Sequence, residues 1–230
     1  MKLTFCYNIF KKARITLKRE NNICPLCRND NLQSYYEGQG RSYLLCNHCD
    51  LVFVPKEQLP GLDVEKIKYD QHQNSPQDSG YRAFLSKLFM PMQKFIESKR
   101  YGLDFGSGPG PTLSKMFEES GYKIDIYDIF YAPNEEVFEN KYDFITTTEV
   151  VEHLHKPREE LMRLAGMIKD GGVLGVMTAF RPSKEQFASW YYKNDVTHVR
   201  FFTPKTFEYL SKMLDMKIVY INEGVVIFQK

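Results

Sequence analysis

The chain has 230 residues and a mass of 27.0 kDa, room for one α/β domain of about 150 residues plus a small appendage and too little for a large multidomain machine. Hydrophobic residues make up 43% and charged residues 26%, with 17 Phe and 15 Tyr to fill a core, which excludes global disorder. The 31 basic and 29 acidic side chains leave a formal +2, so a partner held by a protein-wide field on a phosphate backbone is not favoured, and nucleic acid would have to meet a local patch.

Residues 1–20 form a basic leader in which Lys11, Lys12, Arg14, Lys18 and Arg19 follow the apolar residues instead of preceding them. Without a small-residue cleavage site this is not a secretory signal; it reads as a solvated leader, with a transit peptide as the alternative. Charged or polar residues interrupt every apolar run before the roughly 18 to 20 residues that a membrane span needs, so no membrane partner is expected.

Residues 21–55 carry Cys24-Pro-Leu-Cys27 and Cys46-Asn-His-Cys49, separated by 18 residues. Each Cys-x-x-Cys turn brings two thiolates to one side, and the segment between them reads as a hairpin that juxtaposes the turns. The spacing predicts a zinc ribbon with Cys24, Cys27, Cys46 and Cys49 around a structural, closed Zn2+ site. A redox dithiol, His48 in place of a cysteine, or a chain that has lost its metal are the alternatives. Cys6 is left over as a free thiol, and the thiol usage points to a reducing, cytoplasmic setting.

Residues 56–100 read as a polar linker running into a helix. Phe84, Leu85, Leu88, Phe89, Met92, Phe95 and Ile96 recur at three- and four-residue steps, one buried helical stripe, which Pro91 is expected to kink or split. Ahead of it, Tyr69, His72, Asn74 and Tyr81 crowd hydrogen-bonding and aromatic groups where the chain enters the first core strand. They are candidate capping or substrate residues, with a solvated loop as the plain reading.

From residue 101 to 230, short apolar runs alternate with helical segments, as in βα units around a mostly parallel sheet. Strands are predicted at 101–105, 122–128, 142–148, 172–178, 216–221 and 225–229, with helices from Pro111 to Gly121, from Pro157 to before Gly171-Gly172, and from Thr203-Pro204 onward. Only Asn222-Glu223-Gly224 separates the last two strands, so they must close as an antiparallel hairpin.

Asp104-Phe-Gly106-Ser107-Gly108-Pro-Gly110 falls where a strand becomes a helix, and alternate glycines let the backbone pass close to a nucleotide-like ligand. A second strand ends in Asp128, 24 positions after Asp104, where a carboxylate accepts from ribose hydroxyls. With LDFGSGPGP, GYKIDIYDI, YDFITTTEVVEHL before Pro157, and KDGGVLGVMT in this order, the chain resembles the class I S-adenosylmethionine-dependent methyltransferases. That resemblance implies a Rossmann-like α/β fold and S-adenosyl-L-methionine as cofactor. It implies that Gly106, Ser107, Gly108 and Gly110 pass against the methionine and ribose portions. Asp104 would orient the methionine amine directly or through water, Asp128 with Ile129 would hold the ribose, and Thr148 and Glu149 would face the transfer site. One departure stands out: 13 residues separate Asp128 from Tyr142, where the family fits a helix, a strand and a loop that contacts adenine. The sheet is expected to be one strand short, and Phe130 or Tyr131 offers a stacking surface for the base.

Trp190, Tyr191 and Asp195 follow the fifth strand, where family members build substrate walls, and they are candidate acceptor residues. His153, four residues after Glu149, and His198 are the candidate bases, since a hydroxyl or carbon nucleophile must lose a proton whereas an ionised one need not. For His153 the competing reading is a helix-end histidine packed on the sheet. The expected function is methyl transfer to a small-molecule acceptor. The alternatives are an RNA or protein acceptor docked by the ribbon, and a cofactor-binding or zinc-mediated interaction protein without catalysis.

Overall fold

The two Cys-x-x-Cys turns are brought together by a hairpin. Strands β1 (Leu32–Gly38) and β2 (Arg41–Cys46) pair antiparallel with Gly38 opposite Arg41, leaving Gln39-Gly40 as the loop, both with positive φ (54° and 74°). A two-residue turn whose twist matches its strands demands that backbone. Strand β3 (Val52–Phe53) extends the sheet beside β2. The computed structural model describes residues 22–71 and 74–230; the basic leader, Cys6 and His72 lie outside the described residues.

Helix α1 (Leu62–Tyr69) occupies what reads in the sequence as linker. Its apolar side chains point away from the core: Leu62 and Ile67 are 59% and 64% exposed, and the one residue it buries is Glu65. An inverted pattern of this kind carries no inward stripe to recognise. Helix α2 (Ser79–Met92) starts at Asp78, whose carboxylate accepts from the Gly80 and Tyr81 N–H groups at 2.8 and 3.0 Å, satisfying donors that the first turn leaves unpaired. It buries Leu85, Leu88, Phe89 and Met92. Pro91, which has no N–H to give, falls in the last turn and the helix stops one residue later, so Phe95 and Ile96 follow in tighter turns.

The remaining elements alternate as expected: β4 (Tyr101–Phe105), α3 (Thr112–Glu119), β5 (Lys123–Tyr127), β6 (Tyr142–Thr148), α4 (Pro157–Met167), β7 (Ile168–Met177), the short α5 (Lys184–Phe187), β8 (Arg200–Phe201), α6 (Pro204–Leu214), β9 (Lys217–Asn222) and β10 (Val225–Gln229). Six strands form one sheet in the order β5-β4-β6-β7-β10-β9. The first four are parallel, and β10 runs antiparallel to both β7 and β9. This is the Rossmann-like sheet with a C-terminal hairpin. Between Asp128 and Tyr142 no strand forms; a single bridge to Ala132 and a 3-10 turn at Glu135–Glu139 fill the gap, and β5 is left as an edge. Strand β7 begins directly after α4, earlier than expected, because Gly171 and Gly172 sit within an irregular stretch of the strand and not before it.

Alternation along the central strands sorts side chains onto two faces. Phe144, Val173 and Ile227 pack with Leu85, Leu88 and Phe117 of α2 and α3, while Ile145, Leu174 and Phe228 pack with Leu161 and Leu164 of α4 and Phe207 and Leu210 of α6. The Cys-rich segment is joined to this body through β8, which pairs with β3 as Val52↔Phe201 and Phe53↔Arg200 and completes a second sheet, β1-β2-β3-β8. Tyr35, Tyr43 and Val54 share a core with Phe187, Val199 and Phe201. A boundary at residue 55 in the sequence is therefore not a boundary in packing.

Candidate active site

A cavity of about 880 Å3 opens where the chain leaves β4, β5 and β6, lined by Phe105–Pro109, Tyr127–Tyr131, and Thr148–Val150 with His153. The chain continues from β4 outward to β5 and then crosses back to β6, so the cavity lies at the point where strand order reverses, the usual ligand crevice of an open α/β sheet.

At one end the wall is main chain. Gly106 and Gly108 have φ of 81° and 64°, the left-handed region that side chains disfavour. The Gly106 and Ser107 N–H groups donate to the Tyr127 carbonyl at 2.7 and 3.1 Å, latching the turn to β5. A Cβ on Gly106 would stand 2.3 Å from Val150 Cγ2, and one on Gly110 would stand 2.1 Å from the Asn74 carbonyl oxygen. Gly110 is thus required for the linker to lie across the turn, while a Cβ added at Gly108 would meet nothing within 4 Å. Asp128 holds this end together: Oδ2 accepts from Gly108 N–H at 3.0 Å and Oδ1 from the Phe130 and Tyr131 N–H groups at 2.8 and 3.1 Å. A carboxylate has about four acceptor positions, which leaves about one for a ligand hydroxyl. Asp104 does not line the cavity. It lies beneath the turn, its oxygens accepting from Ser114 Oγ (2.8 Å) and Thr146 Oγ1 (2.9 Å), and burial pushes its pKa up to about 6 against those hydrogen bonds.

The other end is made of side chains. Glu149, just past β6, has a φ of 54°, an uncommon conformation for a residue with a side chain that is sustained here by its N–H bonding the Met177 carbonyl at 2.8 Å. Tyr192 Oη lies 3.0 Å from Glu149 Oε2, hydrogen-bonds Glu152 Oε1, and is 3.3 Å from Thr178 Oγ1. Burial, and then the neighbouring Glu152, raise the pKa of Glu149; burial raises that of Glu152. The two carboxyls share one hydroxyl with a single proton, so they cannot both be satisfied as anions by it.

The imidazoles stand beside this pair. The His153 and His198 rings are 4.7 Å apart. His153 Nδ1 is 3.1 Å from the Thr197 carbonyl and His198 Nδ1 is 2.7 Å from the Tyr192 carbonyl. Since a carbonyl only accepts, each Nδ1 carries the proton, which assigns the tautomer. Burial, followed by the nearby His153, pushes the His198 pKa down to about 3, so it stays neutral but holds an added proton poorly. Tyr69 packs edge-on against His153 at 5.3 Å. Asn74 Nδ2 donates to Tyr81 Oη at 3.1 Å, and burial with Asp104 and Glu149 nearby pushes Tyr81 up to about 12. Asp195 is buried in part, yet hydrogen bonds from Thr197 Oγ1 and N–H hold it below its ordinary value.

The structure therefore gathers Tyr69, Asn74, Tyr81, Gly106, Ser107, Gly108, Asp128, Ile129, Thr148, Glu149, His153, Tyr191, Asp195 and His198 around one cavity. It does not bring Asp104, Gly110 or Trp190 there: Asp104 lies beneath the turn and Gly110 is covered by Asn74. The Trp190 ring packs against Tyr192, Phe187 and Phe201 at 5.1 to 5.9 Å, in the core beneath the ribbon, whereas Tyr191 is 76% exposed at the mouth. Away from the cavity, the four cysteine sulfurs lie within 4.8 Å of one another, with Cys24–Cys49 at 3.5 Å and Cys27–Cys46 at 3.4 Å. These separations are too long for disulfides and close to the edge of about 3.8 Å of a tetrahedron with metal–sulfur bonds of about 2.3 Å.

A sequence profile described as a methyltransferase domain matches residues 72–220. The chain belongs to this methyltransferase family. Over 83 residues it is 32% identical to a ubiquinone biosynthesis O-methyltransferase of Erwinia tasmaniensis, a match covering 36% of this chain and 34% of that protein; it spans about a third of the length of this curated relative. Among solved structures, the 1,6-didemethyltoxoflavin-N1-methyltransferase of Burkholderia thailandensis, determined with 1,6-didemethyltoxoflavin and S-adenosylhomocysteine bound, superposes with a TM-score of 0.55 at 13% identity, covering 86% of this chain and 99% of that one. A SAM-dependent methyltransferase of Archaeoglobus fulgidus gives 0.50 at 16% identity, covering 72% and 99%. At these identities the likeness is one of fold.

In this methyltransferase domain several residues in and behind the cavity wall escape a reading of the sequence. Tyr192 and Glu152 sit within noted segments, but their roles depend on contacts over 40 residues of chain. Arg41, from the hairpin, donates to the Asp195 and His198 carbonyls at 3.1 and 2.8 Å, and the buried Arg200 donates to the carbonyls of Val54 (3.2 Å) and His155 (2.9 Å). These two cations brace the His198 loop from the ribbon side. At the rim, His155 Nε2 and Glu65 Oε1 of α1 pair at 2.8 Å; for Glu152 the i, i+3 acids of Glu149-x-x-Glu152-His153 are the local signal.

Proposed function

We propose that this domain transfers a methyl group from S-adenosylmethionine to an oxygen of a small-molecule acceptor. The observation that carries the reading is a single cavity that runs from a bare main-chain turn beside Asp128 to an enclosed cluster of carboxyl and imidazole groups. Its volume of about 880 Å3 is near the upper end of the roughly 300 to 1,000 Å3 usual for ligand sites, in keeping with a cofactor and an acceptor side by side. The fit to the cofactor rests on Gly108, where an added Cβ would point into open space, and on the acceptor position remaining on Asp128. Phe130 and Tyr131, 6.3 Å apart, supply aromatic surface for the base. The named activity of the Erwinia relative favours oxygen as the nucleophile.

Bound in this way, S-adenosylmethionine supplies an electrophilic methyl on a sulfonium. The residues of the chain then have two tasks: to align the acceptor oxygen behind that methyl, and to accept the hydroxyl proton. Glu149 lines the cavity at the end of β6 and is steadied by Tyr192, so we assign it the proton, with His153 and His198 shaping the acceptor end. Phe130, Tyr69 and Tyr81 enclose the space and keep water out. In the ribbon, the four thiols suit a structural Zn2+ with no open position, which favours a reducing, cytoplasmic setting.

The test is turnover of S-adenosylmethionine by the full chain against a panel of hydroxylated small molecules. The reading expects methyl ether products and a rate insensitive to salt. Turnover that requires RNA or protein and falls steeply with salt would replace the acceptor class. Cofactor binding without turnover on any acceptor would favour a non-catalytic role.

A further inference from the structure

A buried cation stands between the ribbon and the acceptor end of the cavity. Arg200, in β8, is 2% exposed. Its guanidinium donates to three main-chain carbonyls, those of Val54 (3.2 Å), Val199 (2.8 Å) and His155 (2.9 Å). Its Nε has no hydrogen-bond partner, and no Asp or Glu among the described residues weighs on its charge. Carbonyls offer partial charge only, so a guanidinium buried on them alone is left unbalanced. The other arginines of this interface are not: Arg181 has Asp50 at 2.9 Å, and Arg41 feels Asp195.

The four-cysteine cluster supplies the missing charge. Phe53, opposite Arg200 across β3 and β8, packs in one cluster with Cys24, Cys46 and Cys49. Burial pushes the pKa of Arg200 down to about 9; the Cys24 thiol is the acidic group that works against this, and Arg41 adds to the burial. A divalent ion held by four thiolates makes a doubly negative centre, and Cys24, Cys46 and Cys49 are fully buried. Opposite charges that are both out of water stabilise one another far more than an exposed pair does. Arg158 also reaches the ribbon, donating to the Leu26 carbonyl at 3.2 Å, but it is half-buried, so water shares its charge.

The same guanidinium reaches the acceptor end. It holds the His155 carbonyl, and the N–H groups of Val199 and Arg200 donate to the Glu152 carbonyl at 2.8 and 3.0 Å. The chain just after His198 is thus bound, by side chain and main chain, to the turn that carries His153. We infer that Arg200 is the counter-cation of the ribbon's metal–thiolate centre and, through that pairing, a positioning residue for the turn of His153 and the loop of His198. The inference rests on the structural Zn2+ assigned to the ribbon above. Linkage makes the effect mutual: whatever Arg200 adds to ion binding, the ion adds to the hold of Arg200 on the His155 carbonyl.

Zinc affinity of the 230-residue chain, read by competition with a chromophoric chelator, tests this in wild type, Arg200→Gln and Arg200→Lys. The expected result is zinc weakened about 10-fold or more in Arg200→Gln, the scale of a lost partner just outside the ligands. Arg200→Lys keeps the charge while giving up the planar fork, and its zinc affinity should stay within about 3-fold of wild type; a residue that only filled space would not be rescued by charge. In the wild type, chelating the zinc should speed amide exchange at residues 152–155 and leave the turn at 106–110 as it was. Zinc affinity in Arg200→Gln equal to wild type, or an equal loss in Arg200→Lys and Arg200→Gln, would overturn the inference. So would unchanged exchange at 152–155 on zinc removal, a reading that needs no variant to fold. Elemental analysis that finds no zinc in freshly purified wild type would overturn the ribbon reading itself, and the inference with it, whereas the other three failures leave the ribbon's zinc standing.

Discussion

The two ends of the cavity are built in different ways. The turn between β4 and α3 presents main chain, latched by Tyr127 and tied together by one carboxylate, Asp128, within 25 residues of Asp104. The opposite end assembles Glu149, Glu152, His153, Tyr192 and His198 from two segments some 40 residues apart, and it depends on a third, the hairpin that carries Arg41. Recognition by main chain is written locally as glycines. Recognition by clustered side chains is written only in the tertiary fold.

The contrast can be broken by loosening one end and reading the other. The largest effect is expected from Cys24→Ser. A four-thiolate ion contributes several kcal/mol to folding, on the order of 10 in isolated zinc modules, and β3–β8 pairing together with Arg41 and Arg200 transmits its loss to the His198 loop. Loss of zinc, a lower Tm and faster amide exchange over residues 192–201 are expected, with affinity for S-adenosylhomocysteine kept within about 3-fold. If that affinity collapsed equally, the two ends would be one unit and the contrast would fail.

Next in size is Gly106→Ala. Its φ of 81° and the 2.3 Å approach of a Cβ to Val150 amount to about 2 to 3 kcal/mol of strain, expected as a roughly 30- to 100-fold loss of S-adenosylhomocysteine affinity by calorimetry, whereas zinc content stays at one per chain. An unaltered affinity would remove the turn from the ligand site.

Asp104 sharpens the same end through pH. Its folded pKa of about 6 lies above the ordinary 3.8, so the stability it contributes is fully present below pH 3.8 and is lost as pH rises through about 6. Relative to Asp104→Asn, the wild type should therefore lose about 1 to 3 kcal/mol between pH 4 and pH 7 and nothing further above that, read from urea denaturation midpoints. Parallel curves for the two proteins would show that Asp104 is not burdened by its burial.

The smallest effect is expected from Asp128→Asn. The amide keeps one oxygen for the loop N–H groups but gives up charge-assisted bonding, worth about 1 to 1.5 kcal/mol, or a roughly 5- to 10-fold weaker cofactor. A loss above about 100-fold would mean that Asp128 contacts the cofactor with more than its one remaining acceptor position.

Much of the fold was legible because the βα alternation and the glycine turn are local patterns. The strands at 101–105, 142–148 and 225–229 have the expected bounds, and the short path from Asp128 to Tyr142 indeed holds no strand. What escaped was non-local. Helix α1 directs its apolar side chains outward; Pro91 ends a helix and does not bend it; and Arg200-Phe201, two residues in a loop by sequence, become the strand that joins the ribbon to the sheet. Trp190 reads as a substrate wall from its neighbours, yet its large apolar ring is drawn into the core with Phe187 and Phe201. Glu152 and Tyr192 acquire their meaning only when the 190s fold back over the end of β6.

Calorimetric titration of the 230-residue chain with S-adenosylhomocysteine bears most directly on the cavity as a methyl-transfer site. The account expects saturable one-to-one binding that Gly106→Ala weakens and Cys24→Ser largely spares. No heat with this ligand, alongside good binding of a nicotinamide dinucleotide or a nucleoside triphosphate, would contradict it.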